Sequence, residues 1–478
     1  MGFEVLAVTS EAYPLIKTGG LADAAGALPA ALAQEGVSVR TMLPGYRAVM
    51  GRLAKPRVLL DLPGHFGGAA RLLAAREAGL DLLVLDAPHL FDRPGGPYVA
   101  PDGGEWGDNA IRFAAFARAA SLAAQHLGVA AVHAHDWQAG LVPAYLRFAP
   151  KRIPCLFTIH NMAFQGKFPA SVFTSLGLPP QAFAREGLEY YGAVGFLKAG
   201  LWFADAINTV SPSYAEEILT PEGGMGLDGL LRGRAGDLHG ILNGLDVVDW
   251  NPETDRYLAA RFSAADTAPR ATNKAAVQKA FGLAVDPDVP LFAFIGRLAW
   301  QKGADLLLEA ARVLMDGGAQ LALIGSGDAA LEQACNAFAA AHPGRAGVFI
   351  GFDEGRARQV YGGADAIVVP SRFEPCGLVQ LSALRYGAPP VVARTGGLAD
   401  TIIDANPMAL AAGCATGVQV APGRADALAA GLRRTLALFR DAPTWRTIRS
   451  RGMATDVSWG PSAKRYAALL KGIAARHG

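Results

Sequence analysis

Short apolar runs recur along the chain, each ending on polar or turn residues. FEVLAV near the N-terminus is followed by LDLLVLDAP, AAVHAHDW, CLFTIHN and AINTVS. Runs of this length and continuity predict strands covered on both faces of a sheet. Between them lie segments in which small and apolar residues return at helical spacing, LADAAGALPAALAQEG at 21–36 and DNAIRFAAFARAASLAAQHLG at 108–128. Strands alternating with longer helices imply βαβ units and a mostly parallel sheet.

After about residue 245 the pattern restarts. The polar, weakly periodic stretch NPETDRYLAARFSAADTAP, residues 251–269, reads as a linker region. LFAFIGRL, LALIGSG, GVFIGF, AIVVPS and PPVVART then read as a second set of strands, with a helix expected from Ala304 to Met315. The fold class is therefore α/β, with two doubly wound lobes over residues 1–245 and 246–458. Each lobe would open its ligand crevice at the carboxyl ends of its strands. The hexapeptide TGGLAD occurs at 18–23 and again at 395–400, which supports a relationship between the lobes or a shared turn chemistry.

Composition narrows the partners. With 44 Lys+Arg against 42 Asp+Glu the net charge is +2, and without long basic runs nucleic acid is not expected as a partner. No uncharged apolar run is long enough to cross a membrane. The N-terminus carries Glu4 in a short apolar stretch and lacks a basic lead, so it reads as a strand and not a signal peptide. Cys155, Cys335, Cys376 and Cys414 are far apart and form no CxxC pair. Reduced thiols and a cytoplasmic location follow, and a cysteine-based zinc site is excluded. The 57 glycines among 478 residues, about 12% against a usual level of about 7%, sit in short turns of the kind strand-to-helix junctions need.

Several turns carry candidate chemistry. Lys17 precedes Gly19 and Gly20 at a predicted helix start, where backbone N–H groups and a mobile cation suit a diphosphate. On the glycines alone a plain strand–helix turn with a solvated lysine is the favoured reading, and no Walker pattern is present. Arg297 and Lys302 lie five apart on a loop directly after the strand LFAFI. Two cations there could neutralise a leaving diphosphate without a metal, against the alternative of surface charges on a connector. Glu374, in the turn PSRFEPCGL, could accept hydrogen bonds from sugar hydroxyls or could cap the following helix. Cys376 reads as a small buried hydrophobe, since no histidine lies near it in sequence. His160-Asn161 and Asp136-Trp137 end two strands, which places His160 as a polar contact in the crevice. His133 and His135 share one strand face, but spacing supplies no third ligand, so no metal site is expected.

Taken together, KTGGLAD, HAHDW, the strand end IHN, GRLxxQKG, PSRFEPCGLxQL and RTGGLADT closely resemble the motifs, in order, of the bacterial and plant-type glycogen and starch synthases that use ADP-glucose. The resemblance spans essentially the whole chain. It implies a metal-independent glycosyltransferase of the GT-B fold, two Rossmann-like lobes with a cleft between them, needing no cofactor beyond its substrate. Glucose would pass from ADP-glucose to the non-reducing end of an α-1,4-glucan such as glycogen, with retention at the anomeric carbon and release of ADP. Carried over motif by motif, Lys17, with Gly19 and Gly20, contacts the sugar nucleotide. Arg297 and Lys302 stabilise the departing phosphates, while Glu374 holds hydroxyls of the transferred glucose. Cys376, Gly377 and Leu378 line that turn, and His160 lies near the reacting carbon. Asp136, Asp23 and Asn161 resemble further polar contacts; Tyr98, Asn243 and Phe352 do so by position, Phe352 as a platform for adenine. Ser382, where the family often has a larger residue, is expected near the ribose. The terminal segment 459–478 is expected as one helix returning to the first lobe, as in other proteins of this fold.

That mechanism has a physical logic. A diphosphate leaves as a stable anion, so paired cations serve it better than a general acid. Retaining glycosidases need two carboxylates about 5 Å apart, and nothing in this sequence demands such a pair. A front-face reaction, in which the leaving phosphate takes the acceptor proton, is the expectation. The nearest alternatives are a UDP-sugar transferase, a sugar-nucleotide epimerase and a glucan-binding protein without activity.

Overall fold

Parallel strands with continuously buried side chains form the centre of each half of the chain. In the first half the strand order is 238–240, 206–209, 155–159, 131–135, 3–8, 37–44, 80–86, 68–77 and 57–65. The first seven of these run parallel, and the last two add antiparallel edge strands. Cys155–Ile159 and Ala131–His135 are buried at every position, including the polar His133, His135 and Thr158 among their apolar residues. In the second half the order is 346–350, 320–325, 291–295, 366–369, 390–393 and 418–420, all parallel. In sequence order each parallel sheet reads 3-2-1-4-5-6, the doubly wound arrangement, with an added strand at the end of the first.

The computed structural model describes residues 2–477; Met1 and Gly478, the last residue of the expected terminal helix, lie outside the described residues. The chain separates into two compact units, Met1–Asn243 with Trp459–Gly478, and Gly244–Ser458. The helix Gly460–Ala475 covers one face of the first sheet. Trp459, Tyr466, Leu470 and Ile473 pack there with Val5, Leu28, Leu32 and Ala131. The opposite face is closed by a larger cluster that includes the alanine-rich helix Asn109–Leu127.

Two expectations are corrected. Residues 251–269 are not a linker: Leu258 and Phe262 enter the core of the second unit, and the buried Asp255 accepts a hydrogen bond from Tyr386 Oη at 2.5 Å. Three anchors, one of them a carboxylate, lie among turns in a polar stretch and form no element whose periodicity could announce them. The helix expected from Ala304 to Met315 is two short ones, Ala304–Ala310 and Arg312–Asp316, with Ala311 between them.

Candidate active site

Strand order reverses next to the first strand of each sheet, between Phe3–Val8 and Ala131–His135 in one unit and between Leu291–Ile295 and Ala366–Val369 in the other. At such points neighbouring strands send their following loops to opposite sides and leave a crevice at the carboxyl ends. Four of the sequence motifs follow these four strands, so each unit carries its own cluster of candidate residues.

In the first unit, the loop after Phe3–Val8 folds around a buried carboxylate. Glu11 accepts hydrogen bonds from the Thr18 backbone N–H, from Thr18 Oγ1 at 2.6 Å and from Tyr98 Oη. Three donors compensate for removing the charge from water. Ser10 Oγ also lies 2.7 Å from Tyr98 Oη, and burial, ahead of the Glu11 charge, pushes the phenol far above its usual range, so Tyr98 remains a donor. Tyr98 thus supports the Lys17 loop through Glu11. Lys17, Gly19 and Gly20 are exposed at the start of the helix Gly20–Gln34. Lys17 Nζ pairs with Asp23 Oδ1 at 2.6 Å, a partly exposed contact of the kind that contributes little to stability. A Cβ built on Gly19 would meet nothing within 4 Å, and its φ of −158° is open to any residue. Nothing in the surrounding protein requires a glycine at that position.

The adjoining loops come from Ala131–His135 and Cys155–Ile159. Asp136, held at φ +55°, accepts from the His160 backbone N–H at 2.6 Å and from that of Asn161. Burial raises its carboxyl to about 7 despite those two donors. Asn161 Oδ1 accepts from the Ala163 N–H at 3.0 Å, which turns the chain away from the sheet. His160 is 9% exposed, and burial lowers its imidazole to about 3, so the ring is neutral. Asp136, His160 and Asn161 therefore form one hydrogen-bonded corner, in which Asp136 acts by positioning its two neighbours.

In the second unit Lys302 Nζ donates to Glu374 Oε2 at 2.6 Å, and Ser371 Oγ donates to the same oxygen at 2.9 Å. The loop carrying Lys302 is tied to the Glu374 turn by Arg372 N–H to the Gln301 carbonyl at 2.8 Å and by Gln301 Nε2 to the Phe373 carbonyl at 3.1 Å. Gly303, at φ +69°, lets the helix Ala304–Ala310 start against strand 366–369; a Cβ there would lie 2.2 Å from the Pro370 carbonyl oxygen. Arg297 is exposed beside Gln301, 3.5 Å from its Oε1. The turn closes with buried Cys376, with Gly377 at φ +75° and with Leu378, before the helix Val379–Arg385; Gln380 Nε2 satisfies the Cys376 and Gly377 carbonyls.

The remaining expected residues stand apart from these corners. Phe352 is 76% exposed just past the edge strand Ala346–Ile350. Asn243, the last residue of the first unit, is buried with its Oδ1 unpartnered, an acceptor lacking a donor. Ser382 is corrected: it is 2% exposed inside its helix and has no surface to offer a ribose. Glu11 and Ser371 escaped sequence reading, and His135 was weighed there only as a metal ligand. Glu11 had a signal, since it stands just past a strand end as Asp136 does, whereas nothing distinguishes Ser371 from other serines.

Comparisons with known proteins agree over the full length. The family described as starch synthase catalytic domain matches residues 4–233, and that described as glycosyl transferases group 1 matches residues 278–441. A glycogen synthase of Acidiphilium cryptum is 56% identical over 99% of this chain and 100% of its own length. One from Rhodopseudomonas palustris is 56% identical over 98% of this chain and 97% of its own. The catalytic domain of starch synthase IV from Arabidopsis thaliana, solved bound to ADP and acarbose, superposes with a TM-score of 0.91 at 30% identity, covering 100% of both chains. A sucrose-phosphate synthase from Thermosynechococcus elongatus, at 20% identity and a TM-score of 0.60 over 99% of both chains, shares the fold.

Proposed function

The chain belongs to the glycogen and starch synthase family, and on that premise we propose how its residues carry out retaining glucosyl transfer from ADP-glucose to the non-reducing end of an α-1,4-glucan. The observation that carries the reading is the Lys302–Glu374 contact at the switch point of the second sheet. Glu374, fixed by Ser371, accepts hydroxyls of the transferred glucose. Lys302 turns from it to the diphosphate as the bond to the anomeric carbon breaks, and exposed Arg297 supplies the second cation. Developing negative charge on the leaving ADP is thereby met by fixed positive charge, the largest usual source of rate enhancement. Cys376, Gly377 and Leu378 shape the turn that holds Glu374, and Phe352 offers its exposed ring to adenine.

In the first unit Lys17, Gly19 and Gly20 approach the sugar nucleotide, with Asp23 holding Lys17 until then. Asp136 and Asn161 orient His160 toward the glucose, and Asn243 contributes its unpartnered oxygen. Residues 1–245 with the terminal helix form the acceptor side and 246–458 the nucleotide side. The leaving phosphate deprotonates the acceptor hydroxyl on the same face of the sugar, so no enzyme nucleophile is used; a trapped glucosyl ester on Glu374 or Asp136 would overturn this step. The reaction takes no metal and no cofactor, in the cytoplasm, with ADP-glucose, ADP and glycogen as partners.

Nucleotide release from ADP-glucose or UDP-glucose, with glycogen and with or without EDTA, tests the whole. Glycogen-dependent ADP release that survives EDTA supports the reading. Preference for UDP-glucose would replace the donor, and inhibition by EDTA would restore a metal. Release with neither donor would remove the activity.

A further inference from the structure

The strand Ala131–His135 lies beside Cys155–Ile159 in parallel register, with His135 opposite Thr158. Alternation along the first strand puts His133 and His135 on one face, where their rings stack with centroids 3.9 Å apart. His135 Nδ1 lies 3.0 Å from His160 Nε2. His133 Nε2 is 2.7 Å from Thr158 Oγ1, and Asn208 Nδ2 reaches both Thr158 Oγ1 at 3.4 Å and Tyr466 Oη at 2.8 Å. The Tyr466 ring stands 5.5 Å from that of His133. A buried polar chain therefore runs from the strand-end histidine, through two imidazoles, to the C-terminal helix. The function proposed above uses only its first member, His160.

Hydrogen bonds decide the tautomers. In a neutral pair one ring must donate and the other accept. His135 Nε2 has no protein hydrogen bond among the described residues. Either arrangement leaves one ring N–H without a protein partner, His135 Nε2–H or His160 Nδ1–H; His160 is 9% exposed and His135 2%, so the unmatched donor costs less on His160 than on His135. Protonated at Nδ1, His135 spends its one proton on His160. His160 then accepts at Nε2 and carries its own proton on Nδ1, the nitrogen with no protein partner among the described residues.

We propose that His135 is a positioning residue that donates to His160 Nε2, holds His160 in the Nδ1–H tautomer and aims that N–H as a neutral hydrogen-bond donor at an oxygen of the transferred sugar. This rests on the placement of His160 at the glucose given above. Burial independently keeps all three rings uncharged: His133 and His160 are lowered to about 3, and His135 is lowered by burial and by its two imidazole neighbours. Neutrality matters because the transition state develops positive charge at the sugar, and an imidazolium beside it would oppose that charge.

The test uses the whole chain. Long-range proton–nitrogen spectra of protein labelled with 15N-histidine report the tautomer of each ring, and loss of a signal in His160→Gln assigns it. We expect His160 and His135 both protonated at Nδ1; an Nε2–H tautomer of His160 overturns the inference whatever the activity of any variant. In a steady-state assay His135→Leu lowers kcat roughly 10- to 100-fold while KM for ADP-glucose moves less than about twofold. His135→Asn, whose amide N–H falls near the position of Nδ1, recovers most of that rate. Equal losses in both variants, with the His160 tautomer unchanged, would reduce His135 to a packing residue. A His160→Ala variant at the wild-type rate would strike down the placement of His160 itself, a failure distinct from that of the tautomer.

Discussion

At residues 18–23 the run TGGLAD is exposed over Thr18, Gly19 and Gly20, whereas at 395–400 the same letters are buried from Thr395 to Leu398. A Cβ on Gly19 would stand in open space. A Cβ on Gly396, at φ +43°, would lie 2.1 Å from the Glu374 carbonyl oxygen, and one on Gly397 would lie 2.2 Å from that of Cys376. The Gly397 N–H is already bonded to the Glu374 and Pro375 carbonyls, at 3.1 and 3.2 Å. The first copy leaves Gly19 in open space, with its Thr18 N–H bonded to Glu11; the second gives its backbone to the turn that carries Glu374. Both follow a strand and open a helix, so their shared letters answer to shared turn geometry, while the neighbours of each decide whether it binds or supports.

The largest expected effect tests what the second copy is there to support. Lys302→Ala should lower kcat by a factor on the order of 10² to 10³, with the circular dichroism spectrum unchanged; a near wild-type rate would detach the turn from the reaction. Next in size, Gly397→Ala should destabilise the protein by about 3 kcal/mol, because the clash is with backbone that cannot step aside. Thermal denaturation measures it, and an unchanged Tm would erase the contrast between the copies. Gly19→Ala should leave stability within about 0.5 kcal/mol of wild type and raise KM for ADP-glucose several-fold. Loss of stability there would instead make the first copy structural as well.

A pH series separates the units themselves. His133 and His160 have folded-state values near 3, below the unfolded value of 6.5. The unfolded chain therefore binds more protons below pH 6.5, and the first unit loses stability as pH falls from 6.5 toward 3. Asp136, raised to about 7, works in the opposite direction between 3.8 and 7, but one carboxyl faces three lowered histidines. Amide exchange should then show the first unit losing protection at pH 4 before the second. Simultaneous loss in both units would deny the cluster that weight.

Much of this was legible before any coordinates. Apolar runs such as LFAFI and AIVVP announce buried parallel strands because nothing else tolerates such continuity. Residues just past their ends, Arg297, Lys302, Glu374, Asp136 and His160, follow as candidates because doubly wound sheets bind ligands there. Less legible were features made by partners distant in sequence. The break at Ala311 and the anchoring of residues 251–269 by Leu258 and Phe262 depend on packing that no local pattern records.

By itself, then, the sequence determined the two doubly wound halves, the motifs at their strand ends and the family to which the chain belongs. Only the tertiary structure decided that Glu11 gathers the Lys17 loop, that Ser371 and Lys302 share one oxygen of Glu374, and that His135 meets His160 across two parallel strands. Periodicity reports which face of an element is apolar. It does not report which polar atoms meet once those faces are buried, and there each unpaired donor or acceptor has a free-energy cost that settles the arrangement.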